Sequence, residues 1–395
     1  MLVSLLLYSA YMLWDSARHH FPGWKVDINE RLFDAGVPEC GLRKEPWLQV
    51  TSKGLRISWE VNCIATGAKI HWKCNPKSKD FNTNKESSDK ETILHYPLDN
   101  THHLFSYLHQ LALINCTNFN YSLAVDFSDS PSIEYSAQID NRINEHSEQL
   151  ILAIVGESFK GTNRFRRLVE NFIEPLDGII HLGDMVEAEA NWNQWTLQLF
   201  SPLRALLANK PIIAVAGRND LTIDSFNPYF LPKQTSSFWS HSFGPVRLIV
   251  LDSNLENNYQ TSWLEAELIA AVRSPFRIVL VNAPPFCEYG VRSSMYAQQH
   301  WVPLFEQYHV DLVVSGLSRT YQRGWHNQVH YIVSGGGGAS LHGKKYDHFS
   351  FFKVTIFEHH FLKLVVSGSS IQVKAIDGSG FTLDRLIINR KKISK

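Results

Sequence analysis

The sequence predicts an α/β fold in which a small β-domain precedes a larger domain built on two sheets. From residue 45, short runs such as GLRISWEVN and AKIHWKC alternate apolar and polar side chains, which is typical of half-buried strands. From residue 149, continuous apolar runs alternate with helical segments, which indicates parallel strands joined by crossover helices. The last part of the chain returns to β runs such as FFKVTIFEHHFLKLVVS, which predict hairpins.

Composition narrows the class of protein. The 395 residues are 44% hydrophobic and 19% charged, which excludes a disordered chain and a multi-span membrane protein. Lys and Arg together number 38, as do Asp and Glu, so the formal net charge is zero and nucleic-acid binding is not expected. The five cysteines include no CxxC pair, which disfavours a zinc knuckle and favours buried free thiols.

The N-terminus carries a separate apolar segment. Residues 1–14, MLVSLLLYSAYMLW, are shorter than the ~20 residues that a spanning helix needs. They fit a signal peptide or signal-anchor over residues 1–20, although a helix packed on the body is the alternative. The first interpretation predicts a secreted or membrane-anchored protein, with membrane association through this segment, and the second a cytoplasmic one.

The domain organisation follows from these changes of pattern. Residues 21–44 contain scattered Pro and Gly and are predicted to be a linker, and residues 45–137 to be a small antiparallel sandwich. Trp59 and Tyr121 lie within its strands, where we expect them in the core. Residues 138–148 form a second predicted linker before the larger domain at 149–395.

Polar residues cluster where the predicted strands of the larger domain end. Because the carboxyl ends of parallel strands meet at one edge of a sheet, we expect these loops to converge on one site. The loops are Gly156-Glu157, Gly183-Asp184, Gly217-Arg218-Asn219-Asp220, Asn282-Ala283-Pro284-Pro285 and Gly316-Leu317-Ser318-Arg319.

The order of these loops resembles the calcineurin-like metallophosphoesterases, and within them the purple-acid-phosphatase branch. IIHLGDMVE resembles the family's GD motif, and PIIAVAGRND stands where the family has GNH followed by Asp or Glu. VLVNAPPF stands at the family's later strand-end His, VVSGLSRTYQR at its GHxHxYxR motif, and YIVSGGGGA at its glycine-rich stretch. The resemblance spans about residues 45–390. It implies a fibronectin-III-like domain at 45–137 and a two-sheet α/β/β/α phosphoesterase domain at 149–395.

The resemblance also implies where a two-metal site would lie, but most of its ligands are replaced. Members of the family use such a site to polarise a phosphate ester and activate water. Glu157 stands at the Asp of the first strand, and Asp184 keeps the bridging Asp. Arg218 replaces the ligand Asn, and Asn219 replaces the His that contacts phosphate.

The later motifs are altered in the same way. Asn282 replaces the strand-end His, Leu317 and Arg319 replace the two His of GHxH, and Glu187 stands at the phenolic ligand of purple enzymes. A guanidinium stays charged at any workable pH and repels divalent cations, and Leu317 offers no lone pair. We therefore expect the fold without the family's chemistry, and no cofactor.

Three hypotheses for function follow. The first is an inactive pseudophosphatase that acts as a binding or structural module, with an unknown protein or a phosphorylated small molecule as partner. The second is a phosphate or anion binder in which Arg218 and Arg319 replace the metals. Alternatively, the two arginines form a buried salt-bridge cluster with Glu157, Asp184 and Asp220 and bind no external anion.

The third hypothesis is an active phosphoric ester hydrolase with a rewired site for Fe, Mn or Zn. It needs Glu157, Asp184, Asp220 and a histidine from a neighbouring loop. The candidate histidines are His181, His241, His300 and His326. The polar segment 342–348 after the glycine run is either part of this site or a solvated loop.

Overall fold

The computed structural model describes residues 42–51, 54–61, 67–74, 90–97, 103–113, 118–126, 132–140, 147–172, 175–188, 192–220, 226–230 and 236–390. The predicted signal segment 1–20 and the predicted linker up to residue 41 lie outside these ranges. Across the described residues, no helix is both long enough and apolar enough to span a bilayer.

Seven strands form the N-terminal part of the described chain. They are β1 Leu42–Thr51, β2 Gly54–Val61, β3 Gly67–Cys74, β4 Lys90–Pro97, β5 His103–Leu113, β6 Asn118–Asp126 and β7 Ile133–Asp140. Strands β3, β6 and β7 form a three-stranded sheet, and the other four lie side by side in a second sheet. Trp59 and Tyr121 are buried, as the sequence predicts. The strands extend beyond the predicted domain, because Lys44 lies in β1 and not in a linker.

Strands β1, β2, β5 and β4 continue directly into the main sheet of the larger domain. That sheet adds β8 Gln149–Val155, β9 Gly178–His181, β10 Ile212–Ala214, β18 His360–Ser367, β19 Ser370–Asp377 and β20 Thr382–Asn389. The order of its ten strands is β20-β19-β18-β8-β9-β10-β1-β2-β5-β4. The junction is a parallel pairing of β1 with β10 at Gln49 and Ile212. A separate fibronectin-III-like sandwich stays a prediction.

A second, seven-stranded sheet completes the larger domain. Its strands are β11 Trp239–Phe243, β12 Val246–Val250, β13 Phe276–Val281, β14 Leu312–Ser315, β15 Tyr321–His326, β16 Val329–Ser334 and β17 Phe352–Ile356. Their order is β11-β12-β13-β14-β16-β15-β17, and β12, β13, β14 and β16 run parallel. The four parallel strands are mostly apolar because both faces of the sheet are covered, and their exceptions Arg247, Arg277 and His330 are partly exposed.

Helical segments follow the parallel strands, as the alternating pattern predicts. They are α1 Thr162–Glu170, α2 Trp192–Trp195, a π-helical turn Thr196–Phe200, α3 Ser201–Leu207, α4 Phe226–Phe230, α5 Asn258–Ala270, a 3-10 turn Ala271–Arg273, a second π-helical turn Ala297–Trp301 and α6 Val302–Gln307. Leu152 and Leu280 belong to the core between the two sheets. Phe165 and Leu264 lie in separate cores on the outer, helical sides. The structure is therefore a mixed α/β fold with its two main sheets packed face to face.

Candidate functional site at the strand ends

The site begins with two buried carboxylic acids at the ends of neighbouring strands. Glu157 follows β8 and Asp184 follows β9, and each is about 1% exposed. Both have left-handed backbones, with φ of 48° and 52°. Such backbones are strained for residues other than glycine and occur preferentially at functional sites. The two carboxyl groups lie close enough to affect each other's pKa.

One arginine connects this carboxyl pair to the second sheet. Nε of Arg319 donates to Oε2 of Glu157 over 2.8 Å, and the guanidinium lies 5.0 Å from the ring centre of Phe159. Arg319 follows Leu317, which also has a left-handed backbone with φ 57°. The guanidinium therefore binds the carboxyl group that stands at the first ligand position of the family.

The side chain of Asp220 accepts hydrogen bonds from the backbone of this site. Its Oδ2 accepts from the N–H groups of Asp184 and Gly217 at 2.8 and 3.0 Å. Its Oδ1 accepts from Met185 and Val186 at 2.9 and 3.4 Å. The Asp220 carboxylate therefore fixes the loop that presents Asp184.

Asn219, Asn282 and Arg218 lie at this edge of the sheets but differ in their contacts and burial. Nδ2 of buried Asn282 donates to the carbonyl of Leu182 over 2.8 Å, which links the two sheets. The backbone N–H of Asn219 donates to Oδ1 of Asp184 over 2.7 Å. Arg218 is exposed in the turn before Asn219. The structure therefore brings Arg319 to the carboxylates and leaves Arg218 at the surface.

Burial raises the pKa values of the three carboxyl groups at this site. Burial and the charge of Asp184 hold the pKa of Glu157 well above its usual range, in spite of Arg319. Burial also raises the pKa of Asp184, and with the charge of Asp184 it raises that of Asp220 to about 8. A proton shared between Glu157 and Asp184 leaves one negative charge, which Arg319 balances.

This arrangement predicts a stability that falls with rising pH. Burial lowers the pKa values of His181 and His360 to about 3 and 4, so both are neutral in the folded state, and above about pH 7.5 they are largely neutral in the unfolded state as well. The raised carboxyl pKa values mean that the folded state binds more protons. Between about pH 7.5 and 8.5 we expect the unfolding free energy to fall by up to roughly 1.4 kcal/mol per pH unit for each proton released on unfolding.

Urea denaturation across this pH range measures the slope. Glu157→Gln removes one of the coupled carboxyl groups and should flatten it, whereas Glu256→Gln, at an exposed position, should not. A wild-type slope of zero or of the opposite sign would contradict the raised pKa values.

The residues at the family's ligand positions do not fit its two-metal site. Oε2 of Glu157 binds a guanidinium, and both Asp220 oxygens accept backbone N–H groups. Asn282 directs its amide nitrogen to a carbonyl, and Leu317 has no donor atom. Within the described residues, no group of three or more His, Cys, Asp or Glu side chains is placed to hold a metal ion. No catalytic step through a metal can be derived from this set.

The four candidate histidines and Glu187 each have contacts of their own. His181 is fully buried, with its Nε2 2.9 Å from Oγ of Ser158. His241 packs on Phe243, His300 on Tyr296 and His326 on Phe351. Glu187 pairs with Lys160, with Oε2 2.7 Å from Nζ.

Two contributions were not evident from sequence. The ring of Phe159 supports Arg319. Asp220 holds the loop at Asp184, and its position three residues after Gly217, in a turn sequence, is the only signal that could have indicated this role.

Comparison with known proteins agrees with the fold. Residues 152–316 match the family model described as calcineurin-like phosphoesterase. This part of the chain is therefore a calcineurin-like phosphoesterase domain, which confirms the resemblance seen in the motifs. No curated protein matches the chain significantly.

Solved structures extend the likeness over most of the chain. Purple acid phosphatase PPD1 from yellow lupin (Lupinus luteus) seeds is 15% identical, with a TM-score of 0.71 over 87% of this chain and 74% of that chain. PhoD is 10% identical, with a TM-score of 0.56 over 91% and 93%. GAP50 of Plasmodium is 20% identical, with a TM-score of 0.53 over 62% and 90%. At these identities the likeness is one of fold: that of purple-acid-phosphatase-like metallophosphoesterases.

Proposed function

We propose that this protein does not hydrolyse phosphate esters and acts as a binding or structural module on a phosphoesterase fold. The observation that carries the proposal is the 2.8 Å contact between Nε of Arg319 and Oε2 of Glu157. It puts a permanent cation on the carboxyl group that the family uses as a metal ligand.

Charge and geometry both favour this proposal. A divalent cation beside Arg319 is repelled, by about 2 kcal/mol at 4 Å even in bulk water, and by more where water is excluded. The guanidinium of Arg319 already binds Glu157, and the raised pKa values of Glu157 and Asp184 favour a proton on this pair. A metal would have to displace both, and the replaced positions offer few lone pairs in return.

Metal analysis tests the proposal directly. We expect purified protein from medium supplemented with iron, manganese and zinc to contain less than about a tenth of an equivalent of each metal. We also expect hydrolysis of p-nitrophenyl phosphate at the rate of the buffer, unchanged in Glu157→Gln. A purple acid phosphatase prepared in the same way controls for metal loss during purification.

The outcome separates the first and third hypotheses. One or two equivalents of metal, with hydrolysis that Glu157→Gln abolishes, would show an active hydrolase with a rewired site. The arginine-based binder is a second candidate, because Arg218 is exposed and the Arg319 side chain is 34% exposed.

The partner of such a module is also a proposal. The Plasmodium structure with this fold is described as the anchor in the inner membrane complex. A comparable anchoring role here would suit a membrane-associated protein, and the apolar residues 1–14 supply a segment for it.

A further inference from the structure

Two loops beside the strand-end site carry a group of exposed cations. Arg292 lies in the first loop, after β13, and Lys344 and Lys345 lie in the second, after the glycine run. These three residues, named here the cationic patch, are all exposed. None belongs to the ligand positions discussed above.

Tyrosine rings hold the three cations in place. The guanidinium of Arg292 and Nζ of Lys344 lie 5.6 and 5.0 Å from the ring centre of Tyr346. Nζ of Lys345 lies 5.4 Å from the ring centre of Tyr289. Cation–π contacts of this kind stabilise an exposed cation by about 0.5–1 kcal/mol. The patch is therefore more ordered than freely solvated lysines.

Backbone contacts fix the two loops to each other. Gly290 N–H donates to the carbonyl of Lys344 over 2.9 Å, and Tyr346 N–H donates to the carbonyl of Glu288 over 2.8 Å. These two hydrogen bonds join the segment 342–348 to the first loop, although Lys344, Lys345 and His348 are exposed.

The neighbouring carboxylates have other hydrogen-bond partners, and one of these partners, His348, also lies 3.4 Å through its Nδ1 from Nζ of Lys345. Glu288 is buried, and its Oε1 accepts from Phe349 N–H at 2.8 Å and lies 2.9 Å from Nδ1 of His348. Oδ2 of Asp347 accepts from the N–H and the hydroxyl of Ser293 at 3.1 and 3.0 Å. Among the described residues, the three cations of the patch have no ion pair with a carboxylate.

We infer that the cationic patch binds phosphate groups. Three exposed cations on two joined loops create a positive local potential, which attracts an anion. Phosphate oxygens accept charge-assisted hydrogen bonds from guanidinium and ammonium groups. The inference rests on the proposed role as a binding module, and it names the chemical class of the ligand.

The position of the patch favours a ligand with more than one phosphate. Oγ of Ser318 donates to the carbonyl of Tyr289 over 2.6 Å, and Ser318 precedes Arg319 in the chain. The patch therefore adjoins the loop of the strand-end arginine. A ligand with two or more phosphates, either a soluble compound or a lipid headgroup, can contact several of these cations at once.

Calorimetric titration with sodium tripolyphosphate tests the inference on the full chain. We expect Arg292→Ala/Lys344→Ala/Lys345→Ala to weaken binding at least about tenfold, because each lost cation removes a charge-assisted contact. The matched control is Lys374→Ala/Arg385→Ala/Arg390→Ala, which removes the same charge from exposed positions of β19, β20 and the residue after β20. It should bind within about twofold of wild type, and higher salt should weaken wild-type binding.

Vesicles of phosphatidylcholine, with and without phosphatidylinositol 4-phosphate, distinguish the source of the phosphate. Patch-dependent binding of tripolyphosphate alone indicates a soluble ligand, and patch-dependent binding to the phosphoinositide vesicles indicates a headgroup. Absence of binding to both probes, or equal binding by wild type and the patch variant, would overturn the inference. Metal content and hydrolysis of the same sample report on the proposed function independently.

Discussion

Lys44→Met is expected to lower the free energy of unfolding by about 3–5 kcal/mol. Nζ of Lys44 lies 2.6 Å from Oε2 of Glu60, and both side chains are 0% exposed. The same nitrogen donates to the Tyr229 hydroxyl over 2.8 Å. Removal of the ammonium leaves the Glu60 carboxylate buried without this partner, which costs more than the pair itself contributes.

A double variant separates these effects. Lys44→Met/Glu60→Leu removes both charges, so most of the loss should be recovered. The control is Arg204→Ala, which removes the ion pair of this helical residue with Glu45 of β1, the strand that also carries Lys44. The Arg204 side chain is 68% exposed. Its effect should stay below about 1 kcal/mol.

Urea denaturation followed by tryptophan fluorescence measures all four proteins. Trp47 is fully buried, with its ring centre 4.8 Å from that of Phe200, and reports on the contact of β1 with the larger domain. A loss below about 1 kcal/mol in Lys44→Met would show that water reaches this pair in solution.

Lys44 also illustrates what the sequence could not predict. Lys44 is charged and lies near Pro and Gly residues, so the sequence indicated that it ends a linker. Its burial depends on Tyr229, 185 residues away, and on the pairing of β1 with β10. Local patterns carry no information about such contacts, so the ten-stranded sheet could not be predicted.

The parallel strands were predictable for the opposite reason. A strand buried on both faces is rich in apolar residues along its length, so the continuous runs LILAIV and IVLV indicate β8 and β13. The edge where the site lies follows from the same rule, because parallel strands end on one side.

The sequence could not predict which arginine contacts Glu157 at that edge. Arg218 and Arg319 are equivalent in a sequence, but only Arg319 reaches Glu157. The left-handed backbones of Glu157 and Leu317 help to place that contact, and residue type gives no sign of them.

The second large effect is expected at Asp220. Its two carboxyl oxygens accept four backbone N–H groups from the loops at Gly217 and at Asp184–Val186. Asp220→Ala leaves these buried donors unsatisfied, so the unfolding free energy should fall by about 3–5 kcal/mol.

Asp220→Asn provides the graded comparison. The amide keeps one acceptor oxygen but turns its NH₂ group toward backbone donors, so we expect an intermediate loss. Glu256→Ala, on the exposed surface, should change stability by less than about 0.5 kcal/mol. Thermal and urea denaturation at pH 7 compare the three variants with wild type.

The result decides what this aspartate does. A large loss in Asp220→Ala, with metal content unchanged from the wild-type level, identifies Asp220 as a support for the Asp184 loop. A loss below about 1 kcal/mol would mean that the four N–H groups find water instead. The carboxylate would then be available for another role, such as the metal ligand of the third hypothesis.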